Sequence, residues 1–336
     1  MEILHPPTES EEEAIGKLQN AATFHNADDV AELESLLHKP VRDLMNAILT
    51  DPEINMFFHE MFWQQFHRKG PTPGKKVRSW QRMILLIDHI MTTAPRYEKN
   101  YGLVGFPINA ILNWPMDTTA GFAAFLNEKV NRLFKNILDY WQEKFLSRPE
   151  SRYVLNDDPK SGWFGRDAMN SKPMRNFVEE FQCNPHEEYY GFKSWDDFFT
   201  REFRPGIRPV EAPEDDKIVV NACESAPFNI ARHVKRWDFF WIKKQRYSLE
   251  FMLNKSDLVQ YFIGGTVYQA FLSATNYHRW HSPVSGIIHR AERVDGSYYS
   301  ENHNIRDDPS APNNSRDGRS VFYRNHCPCW GCSQQR

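Results

Sequence analysis

Between Thr275 and Gly286 the chain reads TNYHRWHSPVSG, which sets His278 and His281 three positions apart, flanked by Tyr277, Arg279 and Trp280. Ser282-Pro283 ends whatever regular structure precedes them. Histidine is the side chain whose proton equilibrium lies nearest neutrality, so a pair beside an arginine suits proton transfer at a carboxylate substrate. Two other readings stay open on residue types alone: a shared metal ion, and a structural pair satisfied by hydrogen bonds. The spacing beside Pro283 is not the i, i+4 helical arrangement of zinc hydrolases, which ranks a metal hydrolase last.

Two kinds of element have to position this stretch. Upstream, apolar residues recur at helical spacing. Asp51-Pro52 forms an N-cap and first helical residue ahead of Ile54, Phe57, Phe58, Met61, Phe62 and Phe66, which predicts a helix with one greasy face. Pro40 precedes another helical stretch, and an acidic cluster at Glu9 and Glu11 to Glu13 predicts a short helix over 8–18. After the basic loop RKGPTPGKK at 68–76, Val77, Trp80, Ile84, Ile87 and Met91 mark a further helix that stops before Pro95. The longest helix is expected from Thr118 or Thr119 to about Phe145, capped by Asp117, with Val130, Leu133, Phe134, Ile137, Leu138 and Trp141 on one face. These aromatic stripes read as core, without chemistry.

Polar, turn-rich segments follow at 147–159 and at 204–216, the latter punctuated by Pro205, Pro209 and Pro213. Beyond them the pattern changes to short apolar runs at 217–222, 239–242, 265–274 and 286–289, which predict strands. The fold class is therefore α+β, a helical N-terminal domain over 1–190 followed by a β-rich domain over 191–305. The tail over 306–336 abandons the pattern and reads as a divergent, disordered end. It carries His326, Cys327, Cys329 and Cys332, but no second half of a zinc site, so no metal is expected there.

Composition narrows the partners. The chain has 336 residues, 25% of them charged and 40% hydrophobic, with a net charge of -3, so no basic field exists to recruit nucleic acid. No apolar run reaches the roughly 18–20 residues that span a bilayer, and the acidic N-terminus is unlike a signal peptide, which predicts a cytoplasmic protein with no transmembrane segment. Cys183 and Cys223, isolated from other cysteines, fit small thiols in a reducing compartment.

At Tyr277–Gly286 the sequence resembles the phosphatidylserine decarboxylase family, whose motif is Tyr-His-Arg-x-His-x-Pro-x-x-Gly. The stretch SWDDFFTREFRPGIRPV, Ser194 to Val210, is similar to the family block in which paired aromatics and Arg-Glu-Phe precede Pro-Gly-x-Arg-Pro. WIKKQRYSLEFMLN, Trp241 to Asn254, is similar to a third block. The helical half, including AGFAAFLNEKVNRLFKNILDYW, looks most like the soluble fungal branch that contains L-tryptophan decarboxylase. The resemblance implies a pyruvoyl group self-generated from a serine by chain cleavage, and decarboxylation of an amino acid or aminophospholipid through an imine. It implies that His281 is the base of self-cleavage and that His278 lies near the substrate. A serine hydroxyl is a poor nucleophile until a base takes its proton, and a base histidine is commonly oriented by a carboxylate.

Two departures follow. The family's Ala-Asp-Gly is Ala222-Cys223-Glu224-Ser225 here, so Glu224 is the candidate third member, one methylene longer and without the glycine. The family's serine follows a glycine near the C-terminus, whereas the sole Gly-Ser pair here is Gly296-Ser297, which matches an early turn of the family. The expectation is an incomplete pyruvoyl-decarboxylase domain that stops short of its catalytic end and is inactive as written. The alternative is a non-catalytic paralogue acting as a binding or regulatory partner.

Overall fold

The computed structural model describes residues 35–67, 77–97, 107–238, 240–242, 245–272, 275–291, 294 and 296–299. The expected helix over 8–18, the basic loop and the tail over 306–336 with its three cysteines lie outside the described residues.

Helix α1 (Lys39–Thr50) carries Pro40 in its first turn, where the missing N–H costs nothing. It buries Val41, Leu44, Met45 and Ile48, the spacing of one helical face. Asp51 then caps α2 (Pro52–His67), accepting from the Glu53 and Ile54 N–H groups at 3.2 and 3.3 Å. The same carboxylate meets Lys129 Nζ at 2.8 Å, and these bonds hold it below the usual carboxylate range. Ile54, Phe58, Met61 and Phe62 face inward as expected, but Phe66 does not: it is 74% exposed. Helix α3 (Trp80–Ile90) begins at Ser79, whose hydroxyl accepts from the Arg82 N–H at 3.2 Å. Helix α4 (Pro107–Met116) follows.

The long helix expected over 118–145 is two helices. Thr118, not Asp117, caps α5 (Thr119–Leu126), its hydroxyl accepting from the Gly121 N–H at 2.9 Å. At Asn127 the backbone turns extended, at φ -65° and ψ 128°, and its side-chain oxygen accepts from the N–H groups of Lys129 and Val130 at 2.9 and 3.2 Å. A short amide thus offers the backbone a non-helical alternative inside an apolar periodic run. The break redirects α6 (Glu128–Trp141), which buries Val130, Phe134, Ile137 and Trp141. Helix α6 packs on α1, while α5 packs on α2. The close approach at Gly121 needs the absent Cβ, which would lie 1.9 Å from the Pro115 carbonyl oxygen.

Short helices α7 (Arg166–Met169), α8 (Phe177–Glu180) and α9 (Trp195–Phe199) continue the same core. Trp195 and Phe198 are buried in it although they follow residue 190, and Tyr299 joins it from the far end of the described chain.

The remaining architecture is antiparallel. Strand β1 (Ala226–Arg232) pairs with β4 (Thr266–Phe271), with a register shift between Pro227 and Asn229. Strand β2 (Phe240–Ile242) pairs with β3 (Gln245–Tyr247), and α10 (Leu249–Met252) follows. Val234, Phe240, Tyr247, Leu249, Val259 and Val267 form a second, smaller core. The fold class is α+β. The runs at 239–242 and 265–274 contain strands, whereas those at 217–222 and 286–289 are irregular, with Ile287 97% exposed. The first of these still touches the histidine stretch: the Val220 N–H donates to the Pro283 oxygen at 3.0 Å, and the His281 N–H to the Ala222 oxygen at 2.8 Å.

Candidate functional site

Helix α9 is capped by Ser194, whose hydroxyl accepts from the Asp197 N–H at 3.0 Å, and its exit carries the chain through Thr200–Phe203 beneath the histidine stretch. The two segments dock residue against residue. Phe199 stacks on the His278 ring, centroids 4.1 Å apart. Arg201 donates from Nη2 to the carbonyl oxygens of Thr275 and Asn276 at 3.0 and 3.1 Å. Glu202 pairs with Arg279 at 3.1 Å, and Arg279 Nε also donates to the Thr200 oxygen at 2.6 Å. Phe203 lies 4.0 Å from the Tyr277 ring. Two stretches about 75 residues apart in sequence therefore make one surface, and the side chains of the later one are oriented by the earlier.

His278 and His281 differ in environment. The His278 side chain is half-buried, and its Nδ1 is shut away from solvent. Burial, then the nearby Arg201 charge, push its pKa down to about 4, while the Asn276 backbone works the other way. A neutral imidazole at neutral pH can accept a proton or donate one, whereas a charged ring can only donate. His281 is exposed and is fixed through its backbone bond to Ala222.

The structure brings Glu224 to the foot of the motif, and among the described residues no hydrogen bond or ion pair joins it to either imidazole. Its carboxylate meets Arg208 Nε at 3.0 Å and accepts from the Tyr277 N–H at 3.4 Å, and its carbonyl accepts from the Asn276 side-chain amide at 3.1 Å. Arg208 in turn pairs with Glu180 at 3.0 Å. The acid thus anchors the motif's main chain, with Arg208 as its charge partner where a ring nitrogen was expected. Phe199, Arg201 and Arg208 were not among the expected site residues, although all three lie in the Ser194–Val210 block.

The group that the resemblance implies, a pyruvoyl made from a serine after a glycine, can be tested on Gly296-Ser297. The next two residues are tied to the helical half: the Tyr298 N–H donates to Asn131 Oδ1 at 2.9 Å, and Tyr299 is buried between Phe125 and Phe134. Beside His281, the Ser282 hydroxyl donates to the Val284 oxygen at 2.6 Å. The described residues hold the histidine side of such a site, and among them no hydrogen bond joins Ser297 to His278 or His281. Among the described residues no cluster of three or more His, Cys, Asp or Glu side chains could hold a metal ion. Cys183 and Cys223 are free, and burial pushes the Cys183 thiol up. No helix among the described residues is long and apolar enough to cross a membrane.

Fold and site together define a class: a helical core that orients, through an Arg-Glu-Phe segment, a Tyr-His-Arg-x-His motif borne by an antiparallel region. Two family models, both described as phosphatidylserine decarboxylase, match residues 38–172 and 195–326. An L-tryptophan decarboxylase of Psilocybe cubensis is 34% identical over 316 residues, covering 91% of this chain and 68% of that protein. Decarboxylase iboD of Amanita muscaria is 40% identical over 228 residues, covering 64% of this chain and 65% of that protein. Phosphatidylserine decarboxylase proenzyme 3 of Schizosaccharomyces pombe is 31% identical over 148 residues, covering 43% of this chain and 15% of that protein. The chain belongs to the phosphatidylserine decarboxylase family. Its match spans about two thirds of the length of the two mushroom relatives.

Proposed function

We propose that the chain carries the helical and histidine-bearing portions of a carboxy-lyase that acts on the carboxylate of an amine substrate, either an aromatic amino acid such as L-tryptophan or an aminophospholipid. The observation that carries this reading is the docking of residues 199–203 onto residues 275–279, which holds one half-buried neutral imidazole and one exposed imidazole on the same short stretch. His278, neutral and shielded, manages a proton near the substrate carboxylate. His281, at the surface beside Ala222, is the base for a serine hydroxyl. Glu224 supports both through the main chain it anchors. A pyruvoyl group would supply the electron sink of such a lyase, its precursor a serine other than Ser297.

A second reading is favoured by the Glu224–Arg208 pair, which leaves His281 without a carboxylate: a non-catalytic paralogue that binds the substrate amine or docks on a complete enzyme. The two readings separate by experiment. The 336-residue chain should run as one band near 39.6 kDa under denaturing conditions, because its sole Gly-Ser pair, Gly296-Ser297, directly precedes two residues seated on the helical core; two fragments, one with a carbonyl-reactive N-terminus, would refute this. When the C-terminal strands and Gly-Ser segment of a longer relative are grafted on, the chimera should mature and release carbon dioxide. His281→Ala should block the cleavage, since base catalysis contributes typically about 100-fold to 10,000-fold. His278→Ala should leave cleavage largely intact and slow turnover. Failure of both mutants at one step would refute the division of roles, and a chimera that cleaves but never decarboxylates favours the paralogue.

A further inference from the structure

Arg201 is 3% exposed, yet among the described residues its guanidinium forms no hydrogen bond or ion pair with a carboxylate. It donates to the carbonyl oxygens of Phe198, Thr275 and Asn276 and approaches the Met174 sulfur at 3.9 Å. It lies 4.5, 5.1 and 5.6 Å from the ring centroids of Phe181, Phe198 and Phe177. Among the described residues its Nε has no hydrogen-bond partner. A buried charge is costly unless it is paired, and a structural tie between two loops could be made by a neutral donor. Retaining an unpaired cation here calls for a use of the charge itself.

The neighbour that feels it is His278. Thr275 and Asn276, which Arg201 holds, lead directly into Tyr277-His278, and Phe199, two residues before Arg201, covers the imidazole face. We propose that Arg201 is a positioning residue for His278: it fixes the main chain that delivers the ring and sets a permanent positive charge beside it that keeps the imidazole neutral. The other charged groups around the stretch are ion-paired, although the Glu224 charge also acts on Arg201 and favours its charged form. Glu224 is held by Arg208, and Arg279 is paired with Glu202. Tyr277, whose hydroxyl burial pushes up, stays uncharged at neutral pH. A positive charge beside a base histidine lowers its proton affinity, and desolvation acts in the same direction. The observed depression has both causes, burial first and Arg201 second.

This inference rests on the assignment of His278 to the reaction, but its test does not. Nitrogen NMR of the histidine rings in the full chain reads the protonation of His278 directly, with the resonance assigned by its loss in His278→Ala. In the unmodified chain the ring should be neutral at about pH 5.5, a unit below the ordinary histidine value; a charged ring there overturns the proposal whatever the variants do. Arg201→Gln retains an amide donor for the carbonyl oxygens and removes the charge, and should raise the His278 pKa by on the order of one unit. Arg201→Lys retains the charge and should leave it near the parent value. No rise in Arg201→Gln, or an equal rise in both variants, overturns the assignment of charge. A titration that behaves as expected in a chimera whose decarboxylation is indifferent to His278→Ala would uphold the inference and sink the functional reading instead.

Discussion

Tyr299 offers a test of whether the end of the described chain is part of the helical core. It is fully buried, with its ring edge-on to Phe125 and Phe134 at centroid distances of 6.2 and 5.5 Å, and the preceding Tyr298 N–H is held by Asn131. A tyrosine ring buries about 150–250 Å², worth about 4–6 kcal/mol at roughly 25 cal/mol per Å² as an upper estimate. Each aromatic pair adds about 0.5–1.5 kcal/mol. Against this stands the entropy regained when residues 296–299 come loose, at about 1–2 kcal/mol per residue of backbone. Tyr299→Ala should therefore destabilise the helical half by between about 1 kcal/mol, if all four residues come loose, and about 3 kcal/mol, the lower end of the range for truncating a buried aromatic, if the backbone stays seated. Urea unfolding followed by the fluorescence of Trp80, Trp141 and Trp163, all in that core, reads the loss. Tyr261→Ala, at a residue 76% exposed, is the control and should fall within about 0.5 kcal/mol of the parent. A Tyr299→Ala loss no larger than the control would refute the seating of this segment in the helical core.

Two further perturbations probe the break between α5 and α6 and the state of His278. Asn127→Ala removes the acceptor for the Lys129 and Val130 N–H groups and the 3.2 Å contact to Glu53; it should cost about 1 kcal/mol and speed amide exchange in the first turn of α6, and unchanged exchange would argue against the cap. The folded His278 pKa of about 4 lies below the ordinary value of about 6.5, so between these values the unfolded chain binds a proton that the folded chain refuses. The stability linked to this group is complete above about pH 6.5 and is lost as pH falls towards 4, by about 3 kcal/mol. Urea midpoints across that interval should fall less steeply in His278→Gln; parallel slopes would show that the ring charges freely in the folded state.

Much of the helical half was legible because its signals are local. Asp51-Pro52 announces the start of α2, and Pro95 follows the end of α3, since caps and proline act within a turn. The split at Asn127 was hidden because Phe125 and Val130 continue the apolar period across it, and an amide inside such a run reads as tolerated until its side chain is seen bonding forward. Phe66 was misplaced for the converse reason: position on a stripe does not secure a partner at the helix end. Strand β1 contains Pro227, which weakens any strand reading, and the apolar run at 286–289 lacks a ladder partner among the described residues.

The site divides along the same line between local and distant causes. The histidines, and the segment that orients them, could be picked out because each is a compact motif. That Phe199, Arg201, Glu202 and Phe203 would meet His278, residues 275–276, Arg279 and Tyr277 in turn is a fact of tertiary docking, which no period or cap encodes. Glu224 combines a local and a distant cause. An acid two residues from Ala222 does arrive beside the histidine stretch, because Ala222 bonds to His281. Which cation it faces is decided by Arg208, at a left-handed φ of 51° in the neighbouring proline-rich segment, which also reaches Glu180. Arg208 occupies Oε1 of this glutamate at 3.0 Å, and Oε2 accepts from the Tyr277 N–H at 3.4 Å, so its bonds among the described residues go to an arginine and to the motif's main chain. Arg208→Ala frees the carboxylate without altering that backbone's own sequence, and it thereby separates an acid that anchors the motif from one that waits for a ring.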